Sequence, residues 1–156
     1  MITILILFAI HYVIRKNRKL LWSQIICIFL LNLQMTTIGD YFLAMPPYDF
    51  YDTVDRNSGE LMDIFLQNIV YPGTVLFLMD RYKRYRPSKV VFIIVSALIL
   101  TVLEGISVNF FHLFTYKGWK IYYSFFFYVF TMTVNVLFYE KITCFIEMRQ
   151  MSKRTT

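Results

Sequence analysis

Five apolar stretches, separated by short charged loops, occupy almost the whole of this 156-residue chain, and lysines and arginines gather in every second loop. A helix of about 20 apolar residues crosses the ~30 Å hydrocarbon core of a bilayer, where each backbone polar group has to be satisfied within the segment itself. The runs 20–45, 61–79, 90–113 and 121–139 are long enough to span. The run 2–14 is shorter: as a helix it rises only about 20 Å, and it requires a thinned bilayer or help from its flanks. Composition agrees, with 58% hydrophobic and 17% charged residues against roughly 25% charged in soluble domains. The expected fold is an all-α polytopic helix bundle, one transmembrane domain over residues 1–156.

The loops set the orientation. Of the 16 lysines and arginines, 13 fall on one face, in the groups 15–19, 81–89 and 141–154, and only Arg56, Lys117 and Lys120 on the other. Short cytoplasmic loops retain Lys and Arg and translocated ones avoid them, so the N-terminus is expected outside and the C-terminus inside, with Asp49, Asp52, Asp55 and Glu60 in an outer loop. A signal peptide carries its positive charge before the apolar run; here Arg15, Lys16, Arg18 and Lys19 follow it, which fits an anchor. This topology accounts for the net charge of +6 without nucleic-acid binding. The expected partner is a bilayer with anionic headgroups on the cytoplasmic side, contacted by Arg81, Lys83, Arg84, Arg86 and Lys89, each contributing ~1 kcal/mol of attraction. Tyr12 and Trp22 inside, and Tyr48, Tyr51, Tyr116 and Trp119 outside, read as interfacial belts. Asp80-Arg81-Tyr82 resembles the DRY motif of seven-helix receptors, but five spans exclude that fold and the likeness is read as chance.

Charged side chains within spans cost about 2.5–3.5 kcal/mol each on insertion scales, so they face protein or water and mark function by default. Asp40, Asp63 and Glu104 all fall in the outer half, with Gln67, Asn68, Asn109 and His112 nearby along their spans, and together they form a candidate intramembrane polar cluster. Pro72 is expected to kink the third span and free the carbonyl of Asn68. Asp40 and Asp63 can reach interfacial water. Glu104, about 9 Å below the outer surface, is deeper; its carboxyl is expected to be protonated, paired with His112 or an amide, or turned toward a vestibule. No His, Cys or carboxylate spacing matches a zinc site, GxSxG, P-loop and HExxH motifs are absent, and no nucleophile and base are paired in the sequence. No catalytic residue, metal or cofactor is therefore expected. The leading expectation is a non-enzymatic assembly, scaffold or envelope factor. The alternative is a small ion- or proton-coupled transporter or channel using Glu104, which would need a homo-oligomer to enclose a pore.

Residues 39–124 also carry a resemblance. Gly39 with Tyr41 and Phe42, Tyr71-Pro72 followed by Thr74 to Leu78, the intramembrane Glu104, and Tyr116-Lys117-Gly118-Trp119 leading to Tyr123-Ser124 look like an uncharacterised family of small multi-pass membrane proteins of spore-forming Gram-positive bacteria. The likeness covers about half the chain, and Tyr-Pro, Glu and Gly-Trp are its specific landmarks. It implies a helical protein of the bacterial cytoplasmic membrane linked to sporulation or the envelope, and carries no activity with it.

Overall fold

The computed structural model describes residues 20–43, 50–53, 66–111 and 114–152. In chain order they form α1 (Trp22–Leu43), a short strand β1 (Tyr51–Thr53), a π-helical turn (Leu66–Val70), α2 (Tyr71–Tyr85), α3 (Lys89–Phe111), a strand β2 (Phe114–Tyr116) and α4 (Ile121–Ser152). The architecture is helical, apart from one antiparallel ribbon pairing Tyr51 with Tyr116 and Thr53 with Phe114. The first apolar run, 2–14, lies outside the described residues, as does the start of the third.

Among the described residues, three helices are long and apolar enough to cross a membrane: α1, α3 over Lys89–Ile106, and α4 over Ile121–Met148. Their exposed faces are as apolar as a lipid contact requires. On α3, Val90, Val91, Ile94, Leu98 and Val102 are all exposed, whereas the buried side is narrower and holds Phe92, Ser96, Ala97 and Leu100. Helix α4 continues without a break past Tyr139 to Ser152. Its 32 residues rise about 48 Å, well beyond a ~30 Å core.

The third apolar run is organised differently. Pro72 stands at the second position of α2, directly after the π-helical turn. A proline is tolerated in the first turn of a helix because its missing N–H has no intrahelical acceptor there, and the wider π turn delivers the chain to that start. Helix α2 ends at Arg86, which adopts a left-handed conformation (φ 46°) and donates its N–H to the Tyr82 carbonyl at 2.9 Å. The left-handed cap satisfies an end carbonyl, and Pro87 prevents continuation.

Side-chain bonds fix how the helices run. Gln24 meets Thr143 and Asn32 meets Asn135, so eight residues forward along α1 correspond to eight back along α4, and the two are antiparallel in one constant register. Lys89 with Glu140 and Glu104 with Ser124 fix α3 against α4 in the same way. Ile28, Met79, Met132 and Val136, at most 1% exposed, form the tightest part of the core. At the far end of α1, a Cβ added to Gly39 would sit 3.3 Å from Phe127 Cζ, so glycine allows the close approach of α1 and α4 there. Gly39→Ala is expected to leave stability within about 0.5 kcal/mol of wild type, since a gain of up to ~1 kcal/mol in helix propensity offsets the shift of the ring. Gly39→Leu should wedge the helices apart and lower the thermal midpoint in detergent.

Candidate functional site

Among the described residues, Glu104 is an acid with three hydroxyl partners. It projects from α3 toward the first two turns of α4 and the end of the ribbon. Tyr116 donates to its Oε1 at 2.5 Å, Ser124 to the same oxygen at 2.6 Å, and Tyr128 to Oε2 at 2.6 Å. The direction of the chain follows from Trp119, whose indole N–H can only donate. It gives its proton to Ser124 Oγ at 2.7 Å, leaving the serine proton for Glu104. A carboxylate is an acceptor-only group with room for several donors, and hydrogen bonds to charged acceptors are stronger than neutral ones.

Local sequence explains why these groups converge. Ser124 and Tyr128 are four apart and share one face of α4. Tyr116 and Trp119 are delivered by the ribbon end, where the Phe50 carbonyl accepts the N–H groups of Lys117, Gly118 and Trp119 at 2.9–3.2 Å and the Phe50 and Trp119 rings lie 5.9 Å apart. Burial, and then the bond to Glu104, push the Tyr116 phenol above its ordinary value. Folding thus holds this proton. The associated stability is complete below the unfolded value of 10 and is lost as pH rises through the higher folded value. A Tyr116→Phe variant should show a flatter loss of stability above pH 10 than wild type, measured by thermal melts across that range.

The expected cluster is only partly placed. Asp40 lies in α1, and Gln67 and Asn68 in the π turn, but the side chains of Asp40 and Gln67 are outside the description. Asp63 and His112 are outside the described residues altogether. Asn109 donates to the carbonyl of Gly105 in its own helix at 2.8 Å. The described bonds of Glu104 thus go to three hydroxyls and to no member of the cluster. Ser124 and Glu104 do form a hydroxyl–carboxylate pair, which the sequence reading did not anticipate. At 3% exposure, and with its oxygen taken by the indole, Ser124 is placed as a link between helices.

Two further polar layers lie along the same face of α4. In the middle, Asn32 and Asn135 exchange amide bonds at 2.7 and 3.0 Å, and each also donates to the carbonyl one turn before it, Ile28 and Thr131. At the basic end, Gln24 accepts from the Leu21 N–H and from Lys83 Nζ and donates to Thr143, while buried Asp80 accepts the Leu20 N–H at 3.3 Å. Nearby, Tyr82 and Lys89 both donate to Glu140. Burial lowers the Lys83 amine below its ordinary value, and Asp80 and Glu147 oppose that. Of the cations expected at the lipid surface, Lys83 bonds Gln24, and Lys89 forms an exposed ion pair with Glu140. Arg81 lies over the Phe77 ring at 4.9 Å. Asp80 and Tyr82, dismissed with the DRY likeness, are buried parts of this layer.

No family model, characterised protein or solved structure matches the chain. The landmarks of the resemblance fall at structural junctions: Tyr71-Pro72 where the π turn becomes α2, Glu104 at the hydroxyl cage, and Gly118-Trp119 at the ribbon end.

Proposed function

We propose that the chain is a non-enzymatic integral protein of the bacterial cytoplasmic membrane, with five spans, its N-terminus outside and its basic ends in the cytoplasm, acting by helix packing as an assembly or scaffold factor of the envelope. The observation that carries this reading is the engagement of Glu104. A carboxylate serving transport has to exchange partners with an ion or a proton, whereas this one accepts from three hydroxyls of the same chain, tying α3, α4 and the ribbon together. The polar layers support it as well. Between the Asn32–Asn135 pair and the Gln24–Thr143 pair, the intervening turns of the two helices carry Ile28, fully buried, and Tyr139, 8% exposed, and an ion moving inward would meet this apolar step.

Orientation is supported by the placement of charge. The start of α1, the α2–α3 connection and the end of α4 meet at one end of the bundle, through the bonds of Gln24, Lys83, Lys89 and Glu140, and the basic groups cluster there. The envelope and sporulation link rests on the landmark residues alone.

Proteoliposomes containing wild type or Glu104→Gln distinguish this from the transporter reading. The expected result is no proton or cation flux with either protein, together with weaker assembly of the Gln variant. Flux in wild type that disappears with the carboxylate would overturn the proposal.

A further inference from the structure

The side of α1 turned away from the bundle carries one side chain that lipid does not suit. Ile26, Leu30, Gln34 and Ile38 follow one another at four-residue intervals and form a single ridge along the helix. All four are exposed. Gln34 stands within that ridge about 18 Å along the axis from Trp22 and about 14 Å from Leu43. The register against α4 agrees: residues 24 and 32 lie opposite 143 and 135, so Gln34 lies opposite Thr133, well inside the apolar stretch Ile121–Met148. Both measures put the amide near the middle of a ~30 Å core, too deep to reach interfacial water.

Among the described residues the Gln34 amide has no hydrogen-bond partner. Its polar neighbours do. Thr37 returns its hydroxyl to the Leu33 carbonyl at 2.9 Å, and Asn32, on the opposite side of the helix, bonds Asn135 and the Ile28 carbonyl. A lone amide in hydrocarbon is costly, and in membrane bundles such groups serve as contacts between helices.

The chemistry of an amide selects the occupant. It carries both donor and acceptor, so two amides can satisfy each other reciprocally, as Asn32 and Asn135 do at 2.7 and 3.0 Å. Two copies of one chain inserted in the same direction are related by an axis along the membrane normal, which sets each residue opposite itself at equal depth. We propose that the chain forms a homodimer through this ridge of α1, with reciprocal Gln34 bonds where the two helices cross and Leu30 and Ile38 packed around them. The dimer rests on the membrane topology proposed above and not on the role of Glu104, so the flux experiment and the one below fail independently.

The test is oxidative crosslinking of the full chain in liposomes, with Cys27→Ala and Cys144→Ser removing the native thiols. Leu30→Cys and Ile38→Cys flank Gln34 and should give disulfide-linked dimers, whereas Leu98→Cys, exposed on α3, should not. Adding Gln34→Leu should weaken association about tenfold, read as the dimer fraction at decreasing protein-to-lipid ratio. Absence of dimers at both ridge positions, or equal yields there and at Leu98→Cys, would overturn the proposal. Dimers undiminished by Gln34→Leu would overturn it too, because the amide would then not be the contact. So would a crosslink within one chain between Leu30→Cys and Thr3→Cys, which would assign the face to the first apolar run. Should Gln34→Leu fail to fold, the contrast between the ridge positions and Leu98→Cys still decides.

Discussion

Glu104→Leu is expected to destabilise the detergent-solubilised protein by about 2–4 kcal/mol, because one substitution leaves the hydroxyls of Tyr116, Ser124 and Tyr128 without their acceptor. Each buried orphan costs about 1–3 kcal/mol, and two considerations pull the total below a simple sum. Tyr116 is only partly buried and can turn to water, and Ser124 can turn its proton to a helix carbonyl. Glu104→Gln keeps the shape and one acceptor oxygen, so its loss should be smaller, about 1–2 kcal/mol. Pairing each substitution with Tyr128→Phe in a double-mutant cycle isolates the bond to Oε2. Unfolding midpoints of the leucine variant within 0.5 °C of wild type would show that the cage does not hold the bundle together.

Asn135→Leu tests the middle layer in the same way. The variant loses both bonds of the reciprocal pair and strands the Asn32 amide, which is 2% exposed between α1 and α4. Single interhelical hydrogen bonds in membrane proteins contribute only ~0.6 kcal/mol on average, but an unsatisfied amide in a packed core adds its own penalty, and about 2 kcal/mol of destabilisation is expected. The double variant Asn32→Leu/Asn135→Leu should recover part of that, since neither helix then carries an orphan. Its register should be less well defined, because a buried reciprocal amide pair favours one alignment over its neighbours. Disulfide trapping between cysteines introduced along α1 and α4 reads this directly: one dominant crosslink in wild type, several in the double variant.

The helical class and the positions of three long helices were legible in the sequence because lipid imposes a length and forbids charge. The observed ends of α1 and α3 lie within two residues of the runs 20–45 and 90–113. Glu104 was legible too, as the one deep acid. Its partners were missed for a physical reason: in an aromatic-rich helix such as α4, Tyr128 reads as packing, and a single serine reads as filler. The signal was periodic. Ser124, Tyr128, Thr131 and Asn135 recur every three or four residues, with Thr143 about two turns further on, a polar stripe within a span that looks apolar on every side when only composition is weighed. The link from Tyr116 and Trp119 could not be read in advance, since it depends on a strand pairing between segments more than 60 residues apart. Charge counting treats all the cations of the basic loop as equivalent, while the fold draws Lys83 inward and leaves Lys89 at the surface.

The pairing of Asn32 with Asn135 also orders events in time. Asn32 emerges from the ribosome 103 residues ahead of its partner, a delay of about 5–20 s at ordinary synthesis rates. Throughout that interval the Asn32 side chain has the Ile28 carbonyl of its own helix but not its partner on α4. The reciprocal amide pair that aligns α1 with α4 can therefore form only after α4 has been synthesised.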